Sequence, residues 1–170
     1  MNTPKTLVVM GISASGKTTV SNVLGAELDY RVLDADDLHP AENVEKMREG
    51  IALTDADRLP WLKKIAAWIA DQHAANVGVI VSCSALKRSY RDVLRQADPE
   101  MAFIWLDLDR QTLEARLKHR RGHFMPASLL DDQLATLELP GDDERVVRVV
   151  PDGAVEDTVA QALERLSELR

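Results

Sequence analysis

The sequence Gly11-Ile12-Ser13-Ala14-Ser15-Gly16-Lys17-Thr18 matches the pattern GxxxxGK[ST] and indicates the class of fold. In this pattern, glycines allow a turn whose backbone N–H groups close around phosphate oxygens. The apolar run Leu7-Val8-Val9-Met10 comes directly before it, and a helix-compatible stretch begins near Thr19. A strand, a glycine turn and a helix in this order direct the positive N-terminus of the helix at the phosphates. The sequence therefore predicts a site for a nucleoside triphosphate.

This phosphate loop, residues 11–18, is predicted to contact the triphosphate together with the next residue of the helix. Lys17 adds a mobile positive charge, and the hydroxyl of Thr18 is placed to reach a magnesium ion. The predicted triphosphate contacts in this segment are Gly11, Ile12, Ser13, Ala14, Ser15, Gly16, Lys17, Thr18 and Thr19.

Length and charge limit the classes of protein that fit the chain. Its 170 residues suit a single domain, 1–170, with a sizeable core. The formal net charge of −7 argues against broad binding to nucleic acid or to an anionic membrane, because both need a large basic face. Any anion site must therefore be a local cluster of cations.

Cysteine usage and hydropathy indicate the compartment. The single cysteine, Cys83, cannot form an intrachain disulfide, which is typical of a reducing environment. The N-terminus Met1-Asn2-Thr3-Pro4-Lys5 lacks an apolar signal segment, and no run reaches membrane-spanning length. We expect a cytoplasmic protein with no membrane partner.

Short apolar or β-branched runs alternate with longer stretches of helical spacing. The runs lie at residues 6–10, 31–34, 77–82, 101–107 and 146–150. This alternation predicts an α/β fold with a parallel sheet and helices on both faces. Thr54 with Asp57 has the pattern of a helix capping box, and Pro60 indicates a helix start. Ligands of such sheets bind at the carboxyl ends of the strands, so residues just after each run are functional candidates.

Three aspartates lie at the end of the second predicted strand and just after it. In an extended chain alternate residues point the same way, so Asp34 and Asp36 are expected to face the phosphate loop while Asp37 turns aside. One carboxylate of such a pair holds magnesium or its waters, and the other aligns an attacking hydroxyl and accepts its proton. The alternative is a polar turn that leads into a helix at Pro40.

Candidate cationic residues lie after the third predicted strand and also between the second and third strands. Lys87, Arg91 and Arg95 share one helical face at four-residue steps, where like charges repel. An anion bound there would remove that repulsion, and a solvated basic face is the alternative. Arg58 lies near a helix start and is a further candidate, unless it simply pairs with Asp55 or Asp57.

A basic segment follows the fourth strand. Arg116 and Arg120 share a helix face, and the sequence then continues as Arg121-Gly122-His123-Phe124-Met125-Pro126. A basic helix interrupted by glycine and proline is typical of a lid that brings guanidinium groups over transferring phosphates. His123 either binds the acceptor or belongs to a hinge.

Together these motifs resemble the gluconate kinase family of the thermoresistant gluconokinase type. The matching segments are Gly11 to Thr18, Leu33 to Pro40, Asn43 with Lys46-Met47, Asp57-Arg58 with Pro60-Trp61-Leu62, Cys83 to Lys87 with Tyr90-Arg91-Asp92, Arg116-Leu117 with Arg120, and Gly122-His123-Phe124. The segments around His39, Cys83 to Lys87 and Gly122 to Phe124 are the most specific, and the resemblance covers nearly the whole chain.

The resemblance implies a P-loop fold like that of nucleoside monophosphate and shikimate kinases. It implies a five-stranded parallel sheet in the order 2-3-1-4-5, a helical lid at about 116–138 and a homodimer. It also implies transfer of the γ-phosphoryl group of ATP to the 6-hydroxyl of D-gluconate, with magnesium. ATP and D-gluconate are thus the expected partners, and nucleic acid is not.

The resemblance also suggests roles for individual side chains. The expected catalytic residues are Lys17, Asp36 and Arg120. Arg116 is expected near the adenine and Arg120 at the phosphates, and magnesium at Thr18 and Asp34. The expected substrate contacts are Asp36, His39, Arg58, Lys87, Arg91 and His123. The cations among them are matched to the carboxylate that distinguishes gluconate from glucose.

Three other classes share parts of this pattern. A kinase for shikimate or for a nucleoside monophosphate has the same loop and lid. A nucleotide-gated regulator has the loop without an acceptor site. A polynucleotide kinase needs a basic track, which the net charge disfavours.

Overall fold

The parallel sheet expected from the sequence is the centre of the fold. The computed structural model describes residues 3–119 and 127–169. Its strands are β1 (Thr6–Met10), β2 (Arg31–Asp34), β3 (Val79–Ser82), β4 (Ala102–Leu106) and β5 (Val146–Val149). All neighbouring pairs are parallel, and their order is β2-β3-β1-β4-β5. The predicted order 2-3-1-4-5 is confirmed, and the third, fourth and fifth strands are one or two residues shorter than the predicted runs.

Helices connect successive strands and cover the sheet. They are α1 (Lys17–Leu28), α2 (Ala41–Arg48), α3 (Asp55–Ala74), α4 (Arg88–Arg95), α5 (Arg110–His119), α6 (Ala127–Thr136) and α7 (Val155–Ser167), with a short 3₁₀ helix at Ala35–Leu38. The predicted capping box is present at the start of α3, but Pro60 lies inside that helix. The helix starts at Asp55 because Thr54 and Asp57 bond each other's backbone N–H groups.

Two apolar layers sandwich the sheet. In β1 every side chain is buried, and successive residues alternate between the layers. Val8 packs with the α3 and α4 layer, whereas Leu7 packs with the α1 and α7 layer. A strand buried on both faces has a continuous apolar sequence, which explains the run at 6–10. Among the described residues, no helix is long and apolar enough to cross a membrane.

Candidate active site

The phosphate loop lies at the carboxyl end of the central strand β1, between β3 and β4. Gly11 has φ of 146° and Gly16 has φ of 97°. A Cβ atom on Gly11 would lie 2.8 Å from the carbonyl oxygen of Leu106, so the loop passes the end of β4 too closely for any other residue. The ammonium of Lys17 donates to the carbonyl oxygens of Gly11, at 3.1 Å, and Ile12, at 3.2 Å. The loop is thus shaped for phosphate, with its lysine folded across it.

A cavity of about 810 Å³ opens beside this loop. The predicted site residues that line it are Ser13, Ala14, Gly16, Lys17, Thr18, Thr19, Asp34, Asp36, His39, Arg58 and Arg116. The predicted residues Arg120 and His123 lie outside the described residues. Gly11, Ile12 and Ser15 form the buried base of the loop, and Lys87 and Arg91 are not in the lining. The cavity therefore brings the triphosphate loop and the acidic edge of β2 together.

Asp36 lines the cavity and Asp37 does not, as predicted, but the cause differs from the expected one. Asp36 lines the cavity with its side chain 80% exposed, whereas Asp37 is exposed away from the lining. The chain is not extended here, because residues 35–38 form the 3₁₀ helix, and Asp34 caps it by accepting from the N–H of Asp36 at 3.0 Å. The turn, rather than strand alternation, separates Asp36 from Asp37.

His39 is held in a defined tautomer. Its ring stacks on Trp61, with 4.0 Å between ring centroids, and its side chain is only 3% exposed. The amide nitrogen of Asn43 donates to the carbonyl oxygen of Asp57 at 3.0 Å and also faces His39 Nδ1 at 3.2 Å. Because that nitrogen can only donate, Nδ1 accepts and the ring proton sits on Nε2, which lies 3.7 Å from Asp36 Oδ1.

The neutral state of His39 makes stability depend on pH. Burial and the nearby Arg58 guanidinium lower the pKa of His39 from 6.5 to about 4. The unfolded chain therefore takes up a proton near pH 6.5, which the folded chain resists until about pH 4. The free energy of unfolding should fall by roughly 2–3 kcal/mol across this window as the pH is lowered. Urea unfolding of the wild type and of His39→Gln at both ends of the window measures this. Equal losses in the two proteins would contradict it.

The cations near the start of α3 have distinct partners. Lys46 binds Asp57 at 2.8 Å, and Lys87 binds both carboxylate oxygens of Asp55, at 2.9 and 3.1 Å. Neither aspartate pairs with Arg58, which lines the cavity. The alternative that Arg58 is held by a neighbouring aspartate is therefore not what the structure shows.

Arg91 is a correction to the predicted substrate site. It is completely buried, and its N–H groups bond both oxygens of Glu144 and the carbonyl oxygens of Ala85, Leu86 and Glu138. These bonds occupy all five guanidinium protons, so none remains for a substrate.

The anion that offsets the positive charge of Arg91 and Arg95 is a side chain of the protein itself. Glu144 bonds both Arg91 and Arg95 and has a side chain only 1% exposed. Burial alone would raise its pKa, but the hydrogen bonds from Arg91, Gly141 and Arg95 bring the pKa of Glu144 down to about 2. A carboxylate of the chain itself thus removes the repulsion between the two arginines.

On the opposite wall, α5 and α6 reach the phosphate loop. Arg116 donates to the carbonyl oxygen of Ala14 at 3.3 Å and to that of Pro151, just after β5, at 3.2 Å. Gln133, which the sequence reasoning missed, accepts from the N–H of Ser13 at 2.8 Å and donates to its hydroxyl at 3.0 Å. A glutamine within a helix carries no sequence signal for such a contact.

The donor set fits magnesium. Thr18 and Asp34, which both line the cavity, offer hard oxygen ligands. The described residues contain no group of three or more side chains that could hold a metal by themselves. Magnesium suits such a site because it keeps several waters and takes further oxygens from substrate phosphates.

A glycine-turned phosphate loop in a 2-3-1-4-5 parallel sheet, with carboxylates and cations around one cavity, defines a P-loop kinase. A family model described as an AAA domain matches residues 7–140. The chain is 51% identical to a gluconokinase from Gluconobacter oxydans, over 92% of this chain and 90% of that protein. It is 45% identical to the thermoresistant gluconokinase of Escherichia coli, again over 92% and 90%.

A solved structure agrees with these relatives. A gluconokinase from Sinorhizobium meliloti 1021 superimposes with a TM-score of 0.87 at 46% identity, covering 99% of this chain and 94% of that chain. The chain belongs to the gluconokinase family.

Proposed function

We propose that the protein transfers the γ-phosphoryl group of ATP to the 6-hydroxyl of D-gluconate, giving 6-phospho-D-gluconate and ADP. The observation that carries the proposal is Arg58, a cation in the wall of the phosphate-loop cavity that forms no ion pair with any acid in the described part of the chain. A sugar acid brings a carboxylate to neutralise it. The family relationship supports the same choice of acceptor.

ATP is held from two sides in this proposal. The N–H groups of the phosphate loop and the start of α1 bind the β- and γ-phosphates, and Lys17 moves from the loop carbonyls onto the phosphate oxygens. Arg116, which bridges the loop and the end of β5, borders the adenine side. When bound by Thr18 and Asp34, magnesium supplies positive charge that offsets the charge building up on the phosphates.

Asp36 orients the 6-hydroxyl of gluconate and takes its proton. The hydroxyl oxygen attacks the γ-phosphorus, the bond from that phosphorus to the β–γ bridging oxygen breaks, and ADP leaves. His39 keeps its Nε2 proton near neutral pH and donates toward Asp36 and the acceptor hydroxyls. Because the transition state is loose, positioning and charge stabilisation outweigh base strength here.

The direct test is an acceptor panel with ADP detection. Purified protein with ATP and magnesium is offered D-gluconate, other sugar acids, glucose, shikimate and nucleoside monophosphates. The proposal expects gluconate to give the fastest turnover. Faster turnover with shikimate or a nucleotide would assign a different P-loop kinase activity, and slow ATP hydrolysis that no acceptor alters would indicate a nucleotide-gated regulator.

The carboxylate of gluconate should dominate specificity within that panel. A hydrogen bond to a charged group contributes about 1.5–3 kcal/mol, so kcat/KM for glucose should be lower than for gluconate by about 10- to 100-fold. Arg58→Gln should reduce this ratio by lowering kcat/KM for gluconate alone. Arg48→Gln, at an exposed position outside the cavity lining, is the matched control. Equal kcat/KM values for the two sugars would show that Arg58 does not bind the substrate carboxylate.

Several further assignments belong to the same proposal. Arg120 is proposed to reach the transferring phosphoryl group, and His123 to bind the acceptor or belong to a hinge. We also propose that the protein is a homodimer, by its family relationship. A cytoplasmic location is proposed because a chain with one cysteine and no intrachain disulfide is typical of a reducing compartment.

A further inference from the structure

Arg58 lies beside two acids in the sequence, and simple helix geometry would pair it with one of them. Asp55 precedes it by three residues on the same helix, α3, and Asp57 is its direct neighbour. Side chains three residues apart on a helix are close enough to form ion pairs. The absence of such a pair at Arg58, within the residues that the structure describes, therefore needs a cause.

Each acid is bound by a lysine from a different element. Asp57 accepts from Lys46 of α2 and from the N–H of Thr54, which completes the capping box. Asp55 accepts from Lys87, the residue just before α4, and from the phenol of Tyr90. The two carboxylates next to Arg58 are thus bound by neighbouring segments, and neither forms an ion pair with Arg58.

Tyr90 contacts both Arg58 and Asp55. Its hydroxyl oxygen accepts from Arg58 Nη1 at 3.0 Å and donates its own proton to Asp55 Oδ1. The Arg58 guanidinium carbon also lies 5.4 Å from the centre of the Tyr90 ring. Asp55 and Arg58 bind the same phenol oxygen and lie three residues apart on α3, so their side chains are close neighbours.

Resting on the proposed function, we infer that Lys87 is a positioning residue that keeps Asp55 away from Arg58, so that Arg58 remains available to the carboxylate of gluconate. Lys87 itself is outside the cavity lining that contains Arg58. The hydrogen bonds from Tyr90 and Lys87 lower the pKa of Asp55, and the hydrogen bond to Asp55 raises the pKa of Lys87. Both partners are therefore charged at neutral pH, and the pair persists under working conditions.

The inference predicts a particular kinetic change in Lys87→Met. Asp55 loses its lysine, turns to Arg58 and competes with the substrate carboxylate. The KM for gluconate should rise by about three- to fivefold, the factor expected for competition from a partly exposed ion pair. The kcat and the KM for ATP should stay unchanged, because the phosphate loop and Asp36 are not involved. Lys87→Gln, which keeps a polar side chain at this position, should behave in the same way.

A double variant distinguishes a positioning role of Lys87 from direct binding of the substrate by Lys87. In Lys87→Met with Asp55→Asn, no carboxylate competes for Arg58, so the KM for gluconate should return to the wild-type value. If Lys87 instead bound the substrate, the double variant would remain as poor as the single one, and the inference would be overturned. An unchanged KM in Lys87→Met alone would also overturn it.

Two controls separate this result from other causes. Lys63→Met removes an exposed lysine of α3 that forms no ion pair among the described residues, so it should leave the KM for gluconate unchanged. Thermal unfolding of each variant shows that it is folded. If the wild type itself fails to consume ATP with gluconate, the proposed function is wrong; if it does and the double variant shows no recovery, only the role of Lys87 is wrong.

Discussion

Asp36→Asn is expected to lower kcat for gluconate phosphorylation by about 10²- to 10⁴-fold, the range that a positioned general base contributes. The amide keeps the size and position of the side chain but does not accept the hydroxyl proton. Asp36 lines the cavity at the edge of β2 and faces the Nε2 proton of His39. The KM for ATP should be unchanged, since the phosphate loop is intact. Steady-state kinetics with ADP detection, together with ADP binding by calorimetry, measures both parts.

Asp37→Asn is the matched control for that variant. It makes the same chemical change one residue later, at an exposed position outside the cavity lining. Its kcat should equal that of the wild type. Wild-type turnover in Asp36→Asn would show that the carboxylate neither aligns the hydroxyl nor takes its proton.

Arg91→Met is expected to lower the free energy of unfolding by about 3–5 kcal/mol, as breaking a buried ion pair usually does. The substitution leaves Glu144 buried without its main partner and removes the Arg91 donors to the carbonyl oxygens of Ala85 and Glu138. The KM for gluconate should be unchanged in conditions where the variant is folded, because Arg91 has no proton to offer the cavity. Urea unfolding and steady-state kinetics measure the two effects.

Two comparisons test the cause of this instability. Arg95→Met removes the other, partly exposed arginine of Glu144 and should cost less than Arg91→Met. Combining Arg91→Met with Glu144→Gln removes the stranded charge and should recover part of the loss. Wild-type stability with a raised KM for gluconate in Arg91→Met would restore the sequence-based assignment of Arg91 to the substrate.

The parts of the fold that depend on local pattern were predictable. The phosphate loop needs glycines at fixed positions, and strands buried on both faces need unbroken apolar runs, so both leave a signal in a single sequence. The capping box of Thr54 and Asp57 is equally local. The strand order came from the family resemblance, because spacing alone does not distinguish the possible orders of a parallel sheet.

The error over Arg91 has a different origin. Four-residue spacing shows that Lys87, Arg91 and Arg95 share a side of the chain and repel one another, but not which anion relieves them. Lys87 pairs with Asp55, whereas the anion of the two arginines is Glu144, which lies 53 residues beyond Arg91 and follows α6. An external substrate and an internal carboxylate satisfy the same sequence pattern, and only the tertiary structure distinguishes them.

The environment of Arg58 and His39 was also hidden from the sequence. Asn43 fixes the tautomer of His39, and Tyr90 holds Arg58, yet both act through contacts between α2, α3 and α4. The residues that this proposal assigns to the substrates were predicted from their type and position in the sequence. The residues that orient them were not, because their partners are set by the packing of helices.

The segment after α6 binds the beginning of α4 through several hydrogen bonds. Glu138 accepts from the N–H of Arg88 at the start of α4, its own N–H bonds Leu86, and Arg88 binds Asp143. Together with the bonds of Arg91 to Ala85 and Leu86, these contacts tie the beginning of α4 to the segment after α6, next to Leu86 in the cavity lining. Under the proposed function, a sugar acid that binds in the cavity therefore loses little entropy in ordering this border, so more of the interaction energy is retained as affinity.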